Sequence, residues 1–365
     1  MEDGLGGARD LLPDVRLELV ETLRGSERTT TQRVRATYPD RSVRSLIVKR
    51  YHSAGEGWVR EAAALAVLPA GVPGPTLVAS GGEPPIVITA DLGPRSSVAD
   101  ALLGRDPQAA AAAVVDWAEA VAALHVGTRD ARPAFRTALA QRQGDLPVAD
   151  TLVALALEDA VRILDRECGA LGVRVPVNAF DELRGLAKRL GGSGTAALSP
   201  ADTCPDNNVR TPSGLVLIDF EAAHWRHVAW DVAYLRAPWP TCWCSWRLPA
   251  EVADRAVAAY RRVAATAFPE IAEPEFDRQV SAAAMGWALI STSLFIDNAL
   301  GSDPPLNPDR PTPTRRAMIM HRLTAAAGSA ELPAVAELAD RLVTELRTRW
   351  GDVPLAYARA FRSDQ

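Results

Sequence analysis

The first ninety residues alternate apolar and polar positions over short runs. Leu17 to Arg24, Gln32 to Tyr38 and Ser45 to Tyr51 are rich in β-branched and apolar residues and predict strands. Pro39 and Asp40 supply turn chemistry between the second and third runs, which predicts a hairpin. Gly55 to Leu68 then has helical composition and stops at Pro69. Thr76 to Ser80 and Pro85 to Ala90 predict two further strands. The pattern is an antiparallel sheet with one inserted helix.

Beyond Val98 the period changes from two to that of a helix. Ala109 to His125 predicts an amphipathic helix, and two more are expected between Thr151 and Leu190. Ser199 to Glu221 breaks the helical run with prolines, a Ser-Gly turn and the strand-like run Leu215 to Ile218. Helices resume near Trp230 and continue to the end, interrupted by a proline-rich loop at Pro304 to Thr314. No internal repeat is present. The expected fold is therefore α+β and two-lobed. A small β-rich lobe spans residues 1–92 with a hinge at about 89–93, and a large helical lobe spans residues 93–365.

A length of 365 residues exceeds the size at which one core stops growing, which agrees with two lobes. The net charge is −5 and both signs are mixed along the chain, so neither nucleic acid nor an anionic membrane is expected as a partner. Ser281 to Leu300 is apolar enough to raise the question of a membrane span. It carries Asp297 and Asn298 and has no close basic flank, so a buried helix is expected. The acidic start lacks the apolar core of a signal peptide. A cytoplasmic location is expected, with Cys168, Cys204, Cys242 and Cys244 as reduced thiols. Cys242 and Cys244 have no second pair to complete a zinc site, and His224 and His227 are not at finger spacing. Oligomeric state is not legible.

The residues that carry chemistry lie in the irregular segment. Asp202 and Asn207 stand five apart in a proline-containing loop, and Asp219 ends an apolar strand. Phosphoryl transfer needs this kit: a carboxylate to orient a hydroxyl and take its proton, and an amide oxygen and a second carboxylate to hold a divalent cation against phosphates. Turn hydrogen bonds alone would also account for Asp202 and Asn207. Upstream, Lys49 sits in an apolar strand and Glu61 in the following helix, an arrangement that pairs a lysine with a glutamate beneath nucleotide phosphates.

The order D-x-x-P-x-N at Asp202 to Asn207, then I-D-F-E at Ile218 to Glu221, resembles the aminoglycoside phosphotransferase family, relatives of the protein kinases. The resemblance implies a protein-kinase-like fold, ATP or GTP as phosphoryl donor with Mg2+, and a small-molecule hydroxyl acceptor such as an antibiotic, sugar or nucleoside. It implies Asp202 as catalytic base, Asn207 and Asp219 as metal ligands, and Asp231 as the brace of the catalytic loop backbone. The catalytic loop would span residues 199–207 and the metal-binding segment residues 217–221. Ser26 in the first hairpin would cover phosphates, and the backbone at Thr89, Ala90 and Asp91 would meet the base. Trp239, Trp243, Trp246 and Asp297 are candidates for the acceptor side, against packing as the plainer explanation. The family's usual His-Gly before the catalytic Asp is replaced by Pro200-Ala201. A kinase for peptide Ser or Thr and a nucleotide-binding pseudokinase scaffold are the alternatives.

Overall fold

The computed structural model describes residues 4–94, 96–192 and 194–362. The small lobe opens with a short helix, α1 (Gly6–Leu11), that the strand pattern did not announce. Five strands follow: β1 (Arg16–Gly25), β2 (Thr29–Thr37), β3 (Val43–Tyr51), then, after helix α2 (Glu56–Val67), β4 (Leu77–Gly82) and β5 (Pro85–Ala90). They form one antiparallel sheet in the order β1-β2-β3-β5-β4.

The pleat of this sheet decides which side chains see the cleft. Successive residues of a strand point to opposite faces. Leu46 and Val48 of β3, with Ile86 and Ile88 of β5, are buried under α1 in a small outer core with Leu5 and Ala8. Ile47, Lys49, Val87 and Thr89 therefore face the other way, into the space between the lobes. Helix α2 packs beside that face, and Trp58 of α2 donates its indole N–H to the Ile86 carbonyl at 3.2 Å.

The chain crosses into the large lobe through Asp91, which is held by Arg33 Nε at 2.7 Å, Ser45 Oγ at 2.6 Å and the Gly93 N–H at 3.0 Å. Then come α3 (Val98–Leu103), α4 (Pro107–Thr128), α5 (Arg132–Arg142), α6 (Val153–Leu171) and α7 (Ala179–Leu190). Asp106 caps α4 by accepting from the Gln108 and Ala109 N–H groups, with Pro107 at the first turn where its missing donor costs nothing. Four short strands interrupt the helices. β6 (Ala196–Ser199) pairs with β9 (His224–His227), and β7 (Asn208–Thr211) forms a hairpin with β8 (Gly214–Leu217). Helices α8 (Ala229–Val232), α9 (Ala250–Ala264), α10 (Pro274–Leu300), α11 (Arg315–Ala327) and α12 (Pro333–Trp350) complete the lobe. Residues 304–314 have no regular structure.

Helices α4 and α10 are long and apolar enough to cross a membrane by length and composition, but most of each is buried inside the protein. The expected buried helix at Ser281 to Leu300 is the C-terminal part of α10. Its centre packs Gly286 against Trp230, where a Cβ would come within 2.6 Å of the indole. The expectation of four reduced cysteines is corrected. Cys204 and Cys242 form a disulfide across a Cα–Cα distance of 5.9 Å, while Cys168 and Cys244 are buried free thiols. The two partners lie 38 residues apart, so only tertiary packing brings them together.

Candidate active site

The cleft between the lobes encloses about 440 Å³. Its upper wall is the sheet and its floor is the irregular segment between β6 and β9. Lys49 is the link between them. Its ammonium lies 2.8 Å from Glu61 of α2, 2.8 Å from Asp219 and 3.3 Å from Glu221. Burial works against the Lys49 charge, but Glu61 and Asp219 outweigh it and hold its pKa well above the ordinary value. Burial pushes Glu61 above the usual carboxylate range despite Lys49. Tyr51 also donates its hydroxyl to Glu61. Three carboxylates thus share one lysine, with Arg28 reaching only Glu221, at 3.2 Å.

Asp202 stands on the loop between β6 and β7. One carboxylate oxygen, Oδ1, accepts from Thr241 Oγ1 at 2.8 Å; the other, Oδ2, accepts from Asn207 Nδ2 at 3.2 Å. The same Asn207 amide nitrogen donates to the Asp202 carbonyl at 2.9 Å. With the nitrogen engaged twice, the Asn207 amide oxygen is turned away from Asp202, and both Asn207 and Asp219 line the cleft. Burial raises the Asp202 pKa; Thr241 works against it, Asp219 and Asp206 add to it, and the result is about 6. Asp219 adopts φ +66°, a left-handed conformation that Asp tolerates better than most residues, at the exit of β8.

Asp231 at the start of α8 is fully buried. Burial alone would raise its pKa; Arg226 and His125 outweigh that and hold the carboxyl far below the usual range. The Asp231 carboxylate accepts from Arg226 Nη2 of β9 at 2.7 Å and from Ser199 Oγ at 3.0 Å, and His125 Nε2 of α4 lies 3.2 Å from it. Among the described residues, the contacts of Asp231 to the loop run through the Ser199 and Thr203 side chains and through Arg226. The loop carbonyl of Ala201 accepts from Arg226 Nη2 at 3.1 Å and from Tyr234 OH at 2.8 Å. Trp117 of α4 donates to the Thr203 carbonyl at 2.9 Å.

Of the remaining expected positions, Ser26, Thr89, Ala90 and Asp91 line the cleft. Ser26 Oγ accepts from the Arg28 and Thr29 N–H groups, which shapes the β1–β2 turn. Trp243 lines the cleft and donates its indole N–H to Asp206 at 2.6 Å. Trp239, Trp246 and Asp297 do not reach it. Trp239 is buried edge-on against Trp117. Trp246 is buried beneath Arg362. Asp297 is on the surface of α10, paired with Arg166 at 3.1 Å. Aromatic spacing could not separate these three tryptophans, because residues 238–246 form an irregular chain with no fixed period. Thr241, Arg226 and Tyr234 were missed; they lie in no motif, and only the fold brings them to the loop.

Among the described residues, six carboxylates line the cleft (Glu61, Asp91, Asp202, Asp206, Asp219, Glu221) against four cationic side chains (Arg24, Arg28, Arg33, Lys49). A triphosphate enters such a surface only with added positive charge. The oxygen donors that line the cleft, an amide oxygen and carboxylates, are hard ligands of the kind that suit Mg2+. The residues present therefore fit a divalent cation held by Asn207 and Asp219.

Solved structures share the fold. A choline/ethanolamine kinase family protein from Mesorhizobium loti superposes with a TM-score of 0.50 at 15% identity, covering 88% of this chain and 92% of that one. An ethanolamine kinase from Plasmodium vivax gives 0.50 at 11% identity, covering 94% and 84%. At these identities the likeness speaks to the fold, a protein-kinase-like α+β architecture. A search of curated proteins by sequence finds no match. The model of the phosphotransferase enzyme family matches residues 24–285, which include Lys49, Glu61, Asp202, Asn207, Asp219 and Asp231. The chain belongs to the phosphotransferase enzyme family.

Proposed function

We propose that the protein transfers the γ-phosphoryl group of ATP, with Mg2+, to a hydroxyl of a small molecule. One observation carries the reading: a single cleft holds Lys49 paired with Glu61 and Asp219 on one side, and Asp202 hydrogen-bonded to Asn207 on the other. Lys49 would meet the α- and β-phosphates, and the backbone at Thr89 to Asp91 would meet the base of the nucleotide. Asn207 and Asp219 would hold the cation, which supplies charge neutralisation at the phosphates. Asp202 would take the proton of the acceptor hydroxyl. As the acceptor oxygen forms its bond to phosphorus, the bond from phosphorus to the β–γ bridging oxygen breaks and ADP leaves. A base whose pKa is held near 6 is ionised at neutral pH yet not too weak to accept a proton.

The acceptor side is bounded by Trp243, Asp206 and the 241–243 segment. Its aromatic face and carboxylates suit a polar, hydroxylated small molecule. The test is an acceptor screen with ATP and Mg2+, read by mass spectrometry as the gain of one phosphoryl group. Wild-type protein should modify at least one small hydroxyl compound, and the Asp202→Asn variant should not. Transfer to peptide Ser or Thr alone would replace the small-molecule reading. Nucleotide binding with no turnover at all would leave a scaffold.

A further inference from the structure

The chain beyond α8 runs back across the catalytic loop and is fastened to it three times in register. Thr241 Oγ1 donates to Asp202 Oδ1 at 2.8 Å, Cys242 is joined to Cys204, and Trp243 Nε1 donates to Asp206 Oδ2 at 2.6 Å. From behind, the buried Arg322 of α11 reaches the Pro238 carbonyl at 3.4 Å and also contacts Ser245 Oγ. Segment 241–243 is therefore a strap over the base, fastened to the loop along its length and held by Arg322 at its flanks.

The first of these fastenings acts on a functional atom. The terminal torsion of an Asp side chain lies in a broad two-fold well, so the carboxylate plane is set by its hydrogen-bond partners. The sulfur of Cys204 lies 3.0 Å from Oδ1, but in the disulfide it carries no proton. The Thr241 hydroxyl is thus the strong donor on Oδ1. Among the described residues, Oδ2 has only the longer contact to Asn207, at 3.2 Å, and keeps a lone pair for an incoming hydroxyl. We infer that Thr241 is a positioning residue for the catalytic base: it locks the Asp202 carboxylate so that Oδ2 receives the acceptor's proton. The inference rests on the phosphotransferase reading above and adds to it a residue 39 positions beyond the base, outside the loop that carries the motif.

The test uses MgATP with water as acceptor, reading ADP release, and compares wild type with Thr241→Val, Thr241→Ala, Thr241→Ser and Asp202→Asn. Val and Ala lack the hydroxyl; Ser keeps it. Loss of orientation at a reacting centre costs about tenfold to a hundredfold, so Thr241→Val and Thr241→Ala should lower kcat by that factor. The KM for ATP should stay within about twofold, because the nucleotide-holding residues are untouched. Thr241→Ser should recover kcat to within about threefold of wild type. A merely structural role would lower the melting temperature and move KM, with no rescue by Ser. Thr241→Val or Thr241→Ala at wild-type speed, or Thr241→Ser as slow as they are, overturns the positioning role while the enzyme reading stands. Wild-type protein that releases no more ADP than Asp202→Asn overturns the enzyme reading and this inference with it.

Discussion

Replacing Asp202 by Asn should make the protein nearly inactive and, at neutral pH, more stable. The two effects share one cause. The half-buried carboxylate sits near Asp219 and Asp206, and its pKa is raised from 3.8 to about 6. The native state therefore holds the proton more tightly than the unfolded chain does. Below the unfolded pKa the group is protonated in both states and costs nothing. As pH rises through about 4 to 6 the unfolded chain releases its proton first, and native stability falls until the folded group has also ionised. Each unit of pKa is worth about 1.4 kcal/mol, which bounds the penalty near 3 kcal/mol above pH 6. Asn keeps an oxygen for Thr241 but turns an amide nitrogen toward Asn207, so about 1–2 kcal/mol of net gain is expected. Thermal melts without nucleotide and with a chelator, at about pH 5 and about pH 8, measure this difference. The gain should be larger at the higher pH. Turnover should fall by about a hundredfold or more, the usual scale for a positioned base, with nucleotide binding kept. A gain that is equal at both pH values, or a lower melting temperature at the higher one, would refute the electrostatic reasoning; full turnover would refute the role of Asp202.

Asp219→Ala should abolish Mg2+-supported nucleotide binding in titration calorimetry, since it removes the carboxylate beside Lys49; unchanged, Mg2+-dependent affinity would remove Asp219 from the metal set. Protein denatured without reductant should show the two free thiols Cys168 and Cys244 and not four, and Cys242→Ser should lose up to about 4 kcal/mol of stability by chain entropy, seen in denaturant titration. Ala201→Gly should raise the melting temperature slightly: Ala201 has φ +69°, left-handed backbone costs about 1–2 kcal/mol, and the extra freedom of Gly returns about half of that.

The parts of the site that sequence made legible are those whose chemistry fixes both residue type and spacing. Asp202, Asn207 and Asp219 belong to one short segment, and the loop and hairpin that carry them have local turn signals. Lys49 stood out because a lysine in an apolar run needs a reason, and the two-residue period of β3 turns it to the cleft with Ile47. The strands of the small lobe were legible from alternation, with ends displaced by a few residues: the second was expected from Gln32 and begins at Thr29. What was not legible depends on contacts between distant segments. The strands β6 and β9 are four residues each and carry no alternation beyond chance. Trp239, Trp243 and Trp246 look alike in sequence, and of the three Trp243 lines the cleft, with Arg322 holding the chain on either side of it at Pro238 and Ser245. The Cys204–Cys242 bond was hidden for the same reason, as was the role of Thr241.

The replacement of His-Gly by Pro200-Ala201 shows how such distant contacts maintain the loop that carries Asp202. The left-handed φ of Ala201 explains why glycine is usual there: the backbone must turn in that sense for Asp202 to point into the cleft, and a Cβ opposes it. The strain is held from both sides of the peptide. The Ala201 N–H donates to Ser199 Oγ at 2.9 Å, and its carbonyl accepts from both Arg226 and Tyr234. Arg226 is fixed in turn by Asp231, which also takes the Ser199 hydroxyl. The loop is thus closed on a buried ionic network drawn from β6, β9, α8 and the turn after it. A buried pair of this kind is costly to break, about 3–5 kcal/mol when one partner is lost, because the other is left charged and dry. The loop geometry consequently does not depend on a histidine at position 200. The network leaves the Asp202 carboxylate itself to Thr241 and Asn207, so the restraint on the backbone and the restraint on the reacting group are supplied by different residues.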